Sequence, residues 1–343
     1  MCEAQKGGGT VAERIRDSAY LFLTTRVRAL ECQLLEREQM EQMLEAATPE
    51  DAARILTDCG YPELETVNGD TVGTMLARER EKTLQDIGEL APDPAVLAVF
   101  QVQQDYHNVK VLLKSEAMGI SGERLLVDTG RVPGKVLAAA VQAGAWQALP
   151  PLLAEAVEEA RQVLAATRDP QLGDFTLDRY SFRERMELAR QTGAAFLEGY
   201  VQRTIDTANL RTVVRVLRMG KGTEFLEGIL FPGGTMEAGR LLSGVRAGTM
   251  LEEIYGATPL RQAAEAGAEA VRGGSLTQFE KLCDDAVIHY VQDARFVAFG
   301  AAPVIAYLTA KEAEILAVRI LMTGRLAGLP ADVIRERLRE AYV

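Results

Sequence analysis

Residues Asp105–Gly119 read DYHNVKVLLKSEAMG, and 101 residues later Asp206–Gly220 read DTANLRTVVRVLRMG. Asp, Asn, an aliphatic, a base, two aliphatics, a second base, Met and Gly recur in register. A further 108 residues on, Glu314–Gly328 reads EILAVRILMTGRLAG. Here Glu314 takes the Asp place and Arg319 the first base place, while Ala317 stands where the other copies carry Asn108 and Asn209. Repeats at this spacing divide the 343-residue chain into three units of domain size, expected at 1–119, 120–222 and 223–343.

Each copy reads as a two-faced helix. Tyr106, Val109, Leu112 and Leu113 form the apolar stripe of the first, with Lys110 and Lys114 one turn apart on another face. Leu210, Val213, Val214 and Leu217 do the same beside Arg211 and Arg215, and Val318, Leu321 and Met322 beside Arg319. Gly119, Gly220 and Gly328 sit where a helix ends in a left-handed C-cap, and Pro330 follows the third stop. Outward from these segments the spacing stays helical. The 12 prolines are sparse, with none between Pro170 and Pro232, and no stretch alternates with the period of a strand. Gly193 and Gly199 mark a turn or a close helix contact. The fold class expected is all-α.

Composition narrows the function. A 48% hydrophobic fraction with 25% charged residues supports a full core, and disorder and coiled-coil compositions are excluded. The net charge of −11 argues against a nucleic-acid partner. Val136–Ala154 and Phe296–Ala310 are the longest uncharged stretches; the first is alanine-rich and broken at Pro150–Pro151, the second has only 15 residues. A bilayer span needs about 20 apolar residues, so neither crosses a membrane. The N-terminal MCEAQKGGGTVAERIRD has no apolar core of a secretory signal. Cys2, Cys32, Cys59 and Cys283 lie far apart without a C-x-x-C pair, as expected of reduced thiols.

Chemistry-bearing residues are few. Asp105 with Asn108, and Asp206 with Asn209, sit three apart on one helix face and could be ligands. Their duplication favours a structural role, because catalytic sites are few per protein while packing solutions are reused. His107 and His289 lack the Glu-x-x-His spacing of a di-metal bundle, since Gln104 and Ala286 stand three residues before them. Met219–Thr223, MGKGT, has Arg215 where a phosphate loop needs its first Gly, and Phe231–Gly234, FPGG, reads as an ordinary turn. No catalytic, metal or cofactor-binding residue is expected. The residues alone point to an interaction or structural protein, with a generic helical adaptor as the alternative. The repeat of about 100 residues is too long for the roughly 34- to 40-residue periods of helical solenoids.

Several segments resemble one family. DYHNVKVLLKSEAMG, IDTANLRTVVRVLRMGKG and FGAAPVIAYLTAKEAEILAVRILMTGRLAGLPADVIRERL look like the C/d subunit of V/A-type rotary ATPases. So do Leu177–Val201 and YLFLTTRVRALECQLLEREQMEQML near the start, and the likeness runs from about Val11 to Val343. Leu316–Ala317 departs from it, the family more usually showing a basic residue and Asn there. The resemblance implies three similar three-helix units about a pseudo-threefold axis, forming a funnel. It implies a non-catalytic rotor part without cofactor, seating the central shaft subunits on the membrane proteolipid ring. Such a chain has no transmembrane segment of its own and sits peripherally at the cytoplasmic face, where it serves ion transport. On this reading the helix-ending loops bring Arg218, Lys221 and Arg325 to a common rim that contacts a partner.

Overall fold

A computed structural model describes residues 15–343. Residues 1–14 of the N-terminal segment read above, Cys2 among them, lie outside the described residues. Among the described residues there is no β-strand. The α-helices in chain order are α1 Leu21–Glu31, α2 Arg37–Glu45, α3 Pro49–Asp58, α4 Gly69–Gly88, α5 Pro94–Met118, α6 Gly134–Ala143, α7 Pro151–Thr167 and α8 Pro170–Thr192. They continue as α9 Ala195–Arg218, α10 Ala238–Arg246, α11 Leu251–Ile254, α12 Arg261–Val271, α13 Leu276–Gln292, α14 Ala301–Leu326 and α15 Ala331–Arg335.

The three repeated segments are the C-terminal halves of the three longest helices, α5, α9 and α14. Asp93 caps the start of α5 through the Ala95 N–H, with Pro94 at the first position, where its missing N–H costs nothing. All three helices end alike. Gly119, Gly220 and Gly328 take φ of 66°, 67° and 68°, and the next residue's N–H reaches back five residues, from Ile120 to Ser115, Lys221 to Val216 and Leu329 to Gly324. A Cβ at these positions would strain the left-handed turn, which is why glycine stands at each.

The first halves of these helices share one core. Val96, Val99 and Phe100 of α5, Leu197, Val201 and Ile205 of α9, and Val304, Ile305 and Leu308 of α14 belong to a single buried cluster, joined by Leu23 and Val27 of α1. From Ala301 to Lys311 every residue of α14 is buried. Apolar side chains all round a helix suit only a central position, so the Ala301–Ala310 part of the uncharged run Phe296–Ala310 is a core element. Pro303 is tolerated there because it falls in the first turn.

The second halves enter separate clusters. Tyr106, Val109 and Leu112 of α5 pack on Leu137 and Val141 of α6, Leu153 and Val157 of α7, and Leu177 of α8. Leu210, Val213 and Val214 of α9 pack on α10–α13 through Leu241, Ile254, Ala264 and Phe279. Ile315, Val318 and Leu321 of α14 pack on Met43 and Leu44 of α2, Leu56 of α3, Leu76 of α4 and Ile334 of α15. A fully buried Leu in such a cluster contributes about 1.5–3 kcal/mol. The third repeated helix therefore draws its partners mainly from the N-terminal part of the chain, whereas the first two draw theirs from the residues that follow them.

Candidate functional site

The Asp and Asn of the first two repeats grip the loop that leads into the next helix of the bundle. Asn108 pairs with both backbone groups of Val127, Oδ1 accepting from N–H at 2.9 Å and Nδ2 donating to C=O at 2.7 Å. Asn209 does the same to Phe231, at 2.7 and 2.8 Å. Five residues further along each loop the carboxylate takes over, Asp105 Oδ1 accepting from Val132 N–H at 3.1 Å and Asp206 Oδ1 from Met236 N–H at 3.0 Å. The next helix begins two residues beyond, at Gly134 and at Ala238.

Glu314 completes the pattern from the other end of the chain. Its Oε2 accepts the Leu35 N–H at 2.6 Å, two residues before α2 begins at Arg37. Oε1 accepts from Tyr61 Oη at 2.6 Å and Lys311 Nζ at 2.7 Å. Ala317 leaves this third copy without the amide grip.

Each buried carboxylate is compensated differently. Asp105 is fully buried and accepts Arg131 Nε at 2.8 Å, while Arg131 Nη1 binds Glu184 at 2.7 Å, which also accepts the Tyr106 hydroxyl at 2.9 Å. Asp206 has no ion-pair partner among the described residues; the Thr235 hydroxyl, the Thr235 N–H and the Met236 N–H surround it. Burial pushes both aspartyl carboxyls above their ordinary value against the pull of these donors. For Lys311, burial acts downward, but Glu314 and Glu79 hold its ammonium above its ordinary value.

Glycines make room for the aspartates. A Cβ on Gly130 would lie 2.2 Å from Asp105 Oδ1, and one on Gly234 would lie 2.2 Å from Asp206 Oδ1. FPGG is therefore more than an ordinary turn: Phe231 is gripped by Asn209 and Gly234 sits against Asp206. The signal that identifies it is the shared placement of a glycine two residues before Val132 and before Met236. Both other glycine readings find a place, Gly193 with φ 64° after α8 and Gly199 against the Tyr290 hydroxyl. Replacing Asn209 by Ala should lower stability by about 1–3 kcal/mol, because it strands both backbone groups of buried Phe231. Urea unfolding of the variant checks this, and Asn108→Ala should behave alike.

The paired bases repeat as well. Lys110 and Lys114 reach Asp178 and Asp174 of α8, each at 2.5 Å. Arg211 binds Glu280 and Asp284 of α13 at 2.6 and 2.5 Å, and Arg215 binds Glu280 at 2.7 Å. Arg319, the corresponding base of the third copy, has no such carboxylate among the described residues.

Arg218, Lys221 and Arg325 each sit at the C-terminal end of a repeated helix. Arg218 donates to the carbonyls of Ala270 and Gly274 at the end of α12. Arg325 donates to the Ala46 carbonyl after α2, and Lys221 lies 4.0 Å from the Phe225 ring centre. Among the described residues, no hydrogen bond or shared carboxylate joins the three. His107 is exposed on α5, and His289 Nε2 lies 2.5 Å from Glu340. Among the described residues no group of His, Cys, Asp and Glu is arranged to hold a metal, and no helix is long and apolar enough to cross a membrane.

Where α5, α9 and α14 leave their shared core, a cavity of about 440 Å³ opens, lined by Phe100, Gln103 and Gln104 of α5, Tyr200, Thr204 and Thr207 of α9, and Thr309, Glu312 and Leu316 of α14. Elsewhere, Leu21 and Phe22 at the start of α1, and Phe296, Val297 and Phe299 just before α14, are exposed. Arg28 of α1 holds the second segment through the Ala294 and Val297 carbonyls, at 2.7 and 2.8 Å.

Comparison with known proteins places these features in a wider set. The family described as the ATP synthase (C/AC39) subunit matches residues 23–337. The chain is similar to the C subunit of the V-type sodium ATPase of Enterococcus hirae, 27% identical over 330 residues that cover 94% of this chain and 99% of that protein. It is also similar to the C subunit of the V-type ATP synthase of Thermus thermophilus, 25% identical over 328 residues covering 93% of this chain and 98% of the relative. The C subunit of the A-type ATP synthase of Methanocaldococcus jannaschii is 23% identical over 354 residues, covering 93% of this chain and 86% of that protein.

Proposed function

The chain belongs to the ATP synthase (C/AC39) subunit family, and on that premise we propose that it is the non-catalytic central-stalk subunit of a V/A-type ATPase or ATP synthase. It links the rotating shaft to the proteolipid ring, so that ATP chemistry in the head is coupled to ion transport through the membrane. It works as a peripheral component at the cytoplasmic face. One observation carries this reading beyond the family. Three equivalent helices share a core along their first halves, part into separate bundles along their second halves, and enclose a cavity where they part.

That divergence supports a funnel of three units about a pseudo-threefold axis. The matched grips of Asp105, Asp206 and Glu314 on the loops before α6, α10 and α2 support the equivalence of the units. The wide end receives the shaft tip, and the helix-ending loops with Arg218, Lys221 and Arg325 form its rim. The exposed apolar side chains around Phe22 and Phe296 belong to the narrow end, where the ring is seated.

Charge reversal at the rim tests the contact. Rim charges act on encounter rate and salt dependence more than on total affinity. Reversing all three should reduce co-purification of shaft subunits at low ionic strength and much less at high salt. Arg218 and Arg325 also hold backbone carbonyls, so the melting temperature is measured alongside. Lys221→Glu alone, which loses only a ring contact, reports the charge effect without those carbonyls. Co-purification unchanged at every salt concentration would remove the rim from the interface.

A further inference from the structure

The cavity between the three repeated helices carries a charge opposite to that of the chain. The protein has a net charge of −11, yet six cationic side chains and only two carboxylates line this space. Both carboxylates are already engaged. Glu312 receives Arg80 through both oxygens at 2.6 and 2.7 Å, and Asp284 receives Arg211 and Arg339 at 2.5 and 2.7 Å. Lys311 is taken up by Glu79 and Glu314.

Two cations remain among the described residues. Arg185 of α8 is 4% exposed, makes no ion pair among them, and its buried Nε has no hydrogen-bond partner. Its guanidinium lies 5.6 Å from the Phe182 ring centre and 6.0 Å from that of Tyr200. Aromatic faces stabilise the charge but accept no N–H bond in the guanidinium plane. Leaving that buried N–H without an acceptor is costly, and a bound anion would offset the cost. Arg319 of α14 is the second. Its equivalents Lys110 and Arg211 each have a carboxylate opposite, and Arg319 has none. The amides of Gln103 and Gln104 line the same wall.

We propose that this cavity is a binding site for a small multivalent oxyanion of the phosphate class, gripped by Arg185 and held by the second positive charge of Arg319. The planar guanidinium fork matches phosphate oxygens in pairs, and two uncompensated arginines match a dianion. About 440 Å³ is within the range of small-molecule sites and has room for a phosphate or a short phosphate ester. A whole helical tip, 10–12 Å across with its side chains, would fill it within about one turn, too bulky to reach a guanidinium only 4% exposed. The site is a property of the chain by itself and does not depend on the central-stalk reading.

The purified chain, without partners, is titrated with inorganic phosphate and with pyrophosphate by calorimetry at constant ionic strength, with chloride as the reference. Saturable binding is expected, tighter for pyrophosphate, with a melting temperature that rises with ligand concentration. Arg185→Gln should weaken binding by at least about tenfold, the value of a charge-assisted hydrogen bond. Arg319 is exposed on its helix, so Arg319→Gln keeps the fold and should weaken binding several-fold even if the Arg185 variant does not fold. Absence of saturable binding, or an affinity unchanged in Arg319→Gln, would overturn the proposal. Binding of a glutamate-rich peptide where phosphate and pyrophosphate fail would overturn the phosphate class and assign the cavity to an acidic segment of a partner.

Discussion

Replacing Arg131 by Met is expected to destabilise the protein by about 3 kcal/mol at neutral pH, with the loss shrinking as the solution is acidified. Arg131 bridges Asp105 and Glu184, whose side chains keep 0% and 9% of their surface. Removing the cation leaves two carboxylates in a poor dielectric with only N–H and O–H donors. The figure sits at the lower end for a broken buried pair because Arg131 itself retains 21% exposure, so water screens part of the interaction. The sign of the pH effect follows from linkage. Burial already holds the Asp105 carboxyl above its ordinary value, and Arg131 opposes that rise. Without the arginine the folded-state value climbs further. A carboxyl raised in the folded state stabilises below its unfolded value and loses that contribution as pH rises through the folded one. The gap between wild type and variant should therefore narrow as the pH falls from neutral towards the ordinary aspartate value of about 4. Chemical denaturation at several pH values measures it. A gap that widens on acidification would mean that Arg131 does not compensate these carboxylates.

Gly234→Ala is expected to cost a similar amount by a different route. The added methyl would meet Asp206 Oδ1 at 2.2 Å, and Asp206 cannot swing aside without releasing the donors of Thr235 and Met236. Overpacking costs about 1–3 kcal/mol, and each hydrogen bond lost adds about 1 kcal/mol, so a total near 3 kcal/mol follows. The cause can be isolated by a double-mutant cycle. In an Asp206→Ala background the clash partner is gone, and adding Gly234→Ala should cost less than about 1 kcal/mol. Additive costs would show that the glycine is needed for some other reason. Gly130→Ala should behave in the same way against Asp105, with an identical 2.2 Å approach.

The helices and their ends were legible in the sequence because their causes are local. The stripe of Val109, Leu112 and Leu113 with the capping Gly119 lies within α5 and its stop, and the matched Leu210–Leu217 segment lies within α9. Partners at long range left no such trace. Lys110 meets Asp178 after 68 residues, and Arg211 meets Asp284 after 73, distances that no periodicity encodes. Glu314 is the sharpest case. Its partner Leu35 lies 279 residues earlier, so the third repeat is completed by chain that precedes the first, and a division into consecutive thirds separates α14 from α2, α3 and α4. Phe231–Gly234 was hidden by its own chemistry, since Pro and Gly signal a turn whatever else the turn carries. Arg185 gave no signal at all, because a buried arginine and a surface one read alike on a helix.

Coupling is the property on which the functional reading stands. The most direct measurement compares membrane vesicles from cells with and without this chain, following ATP hydrolysis together with proton and sodium uptake. Without the chain, the catalytic head should continue to hydrolyse ATP while neither ion gradient forms, because no part then transmits rotation from shaft to ring. Hydrolysis that still drives ion uptake in its absence would contradict the assignment as the connecting subunit.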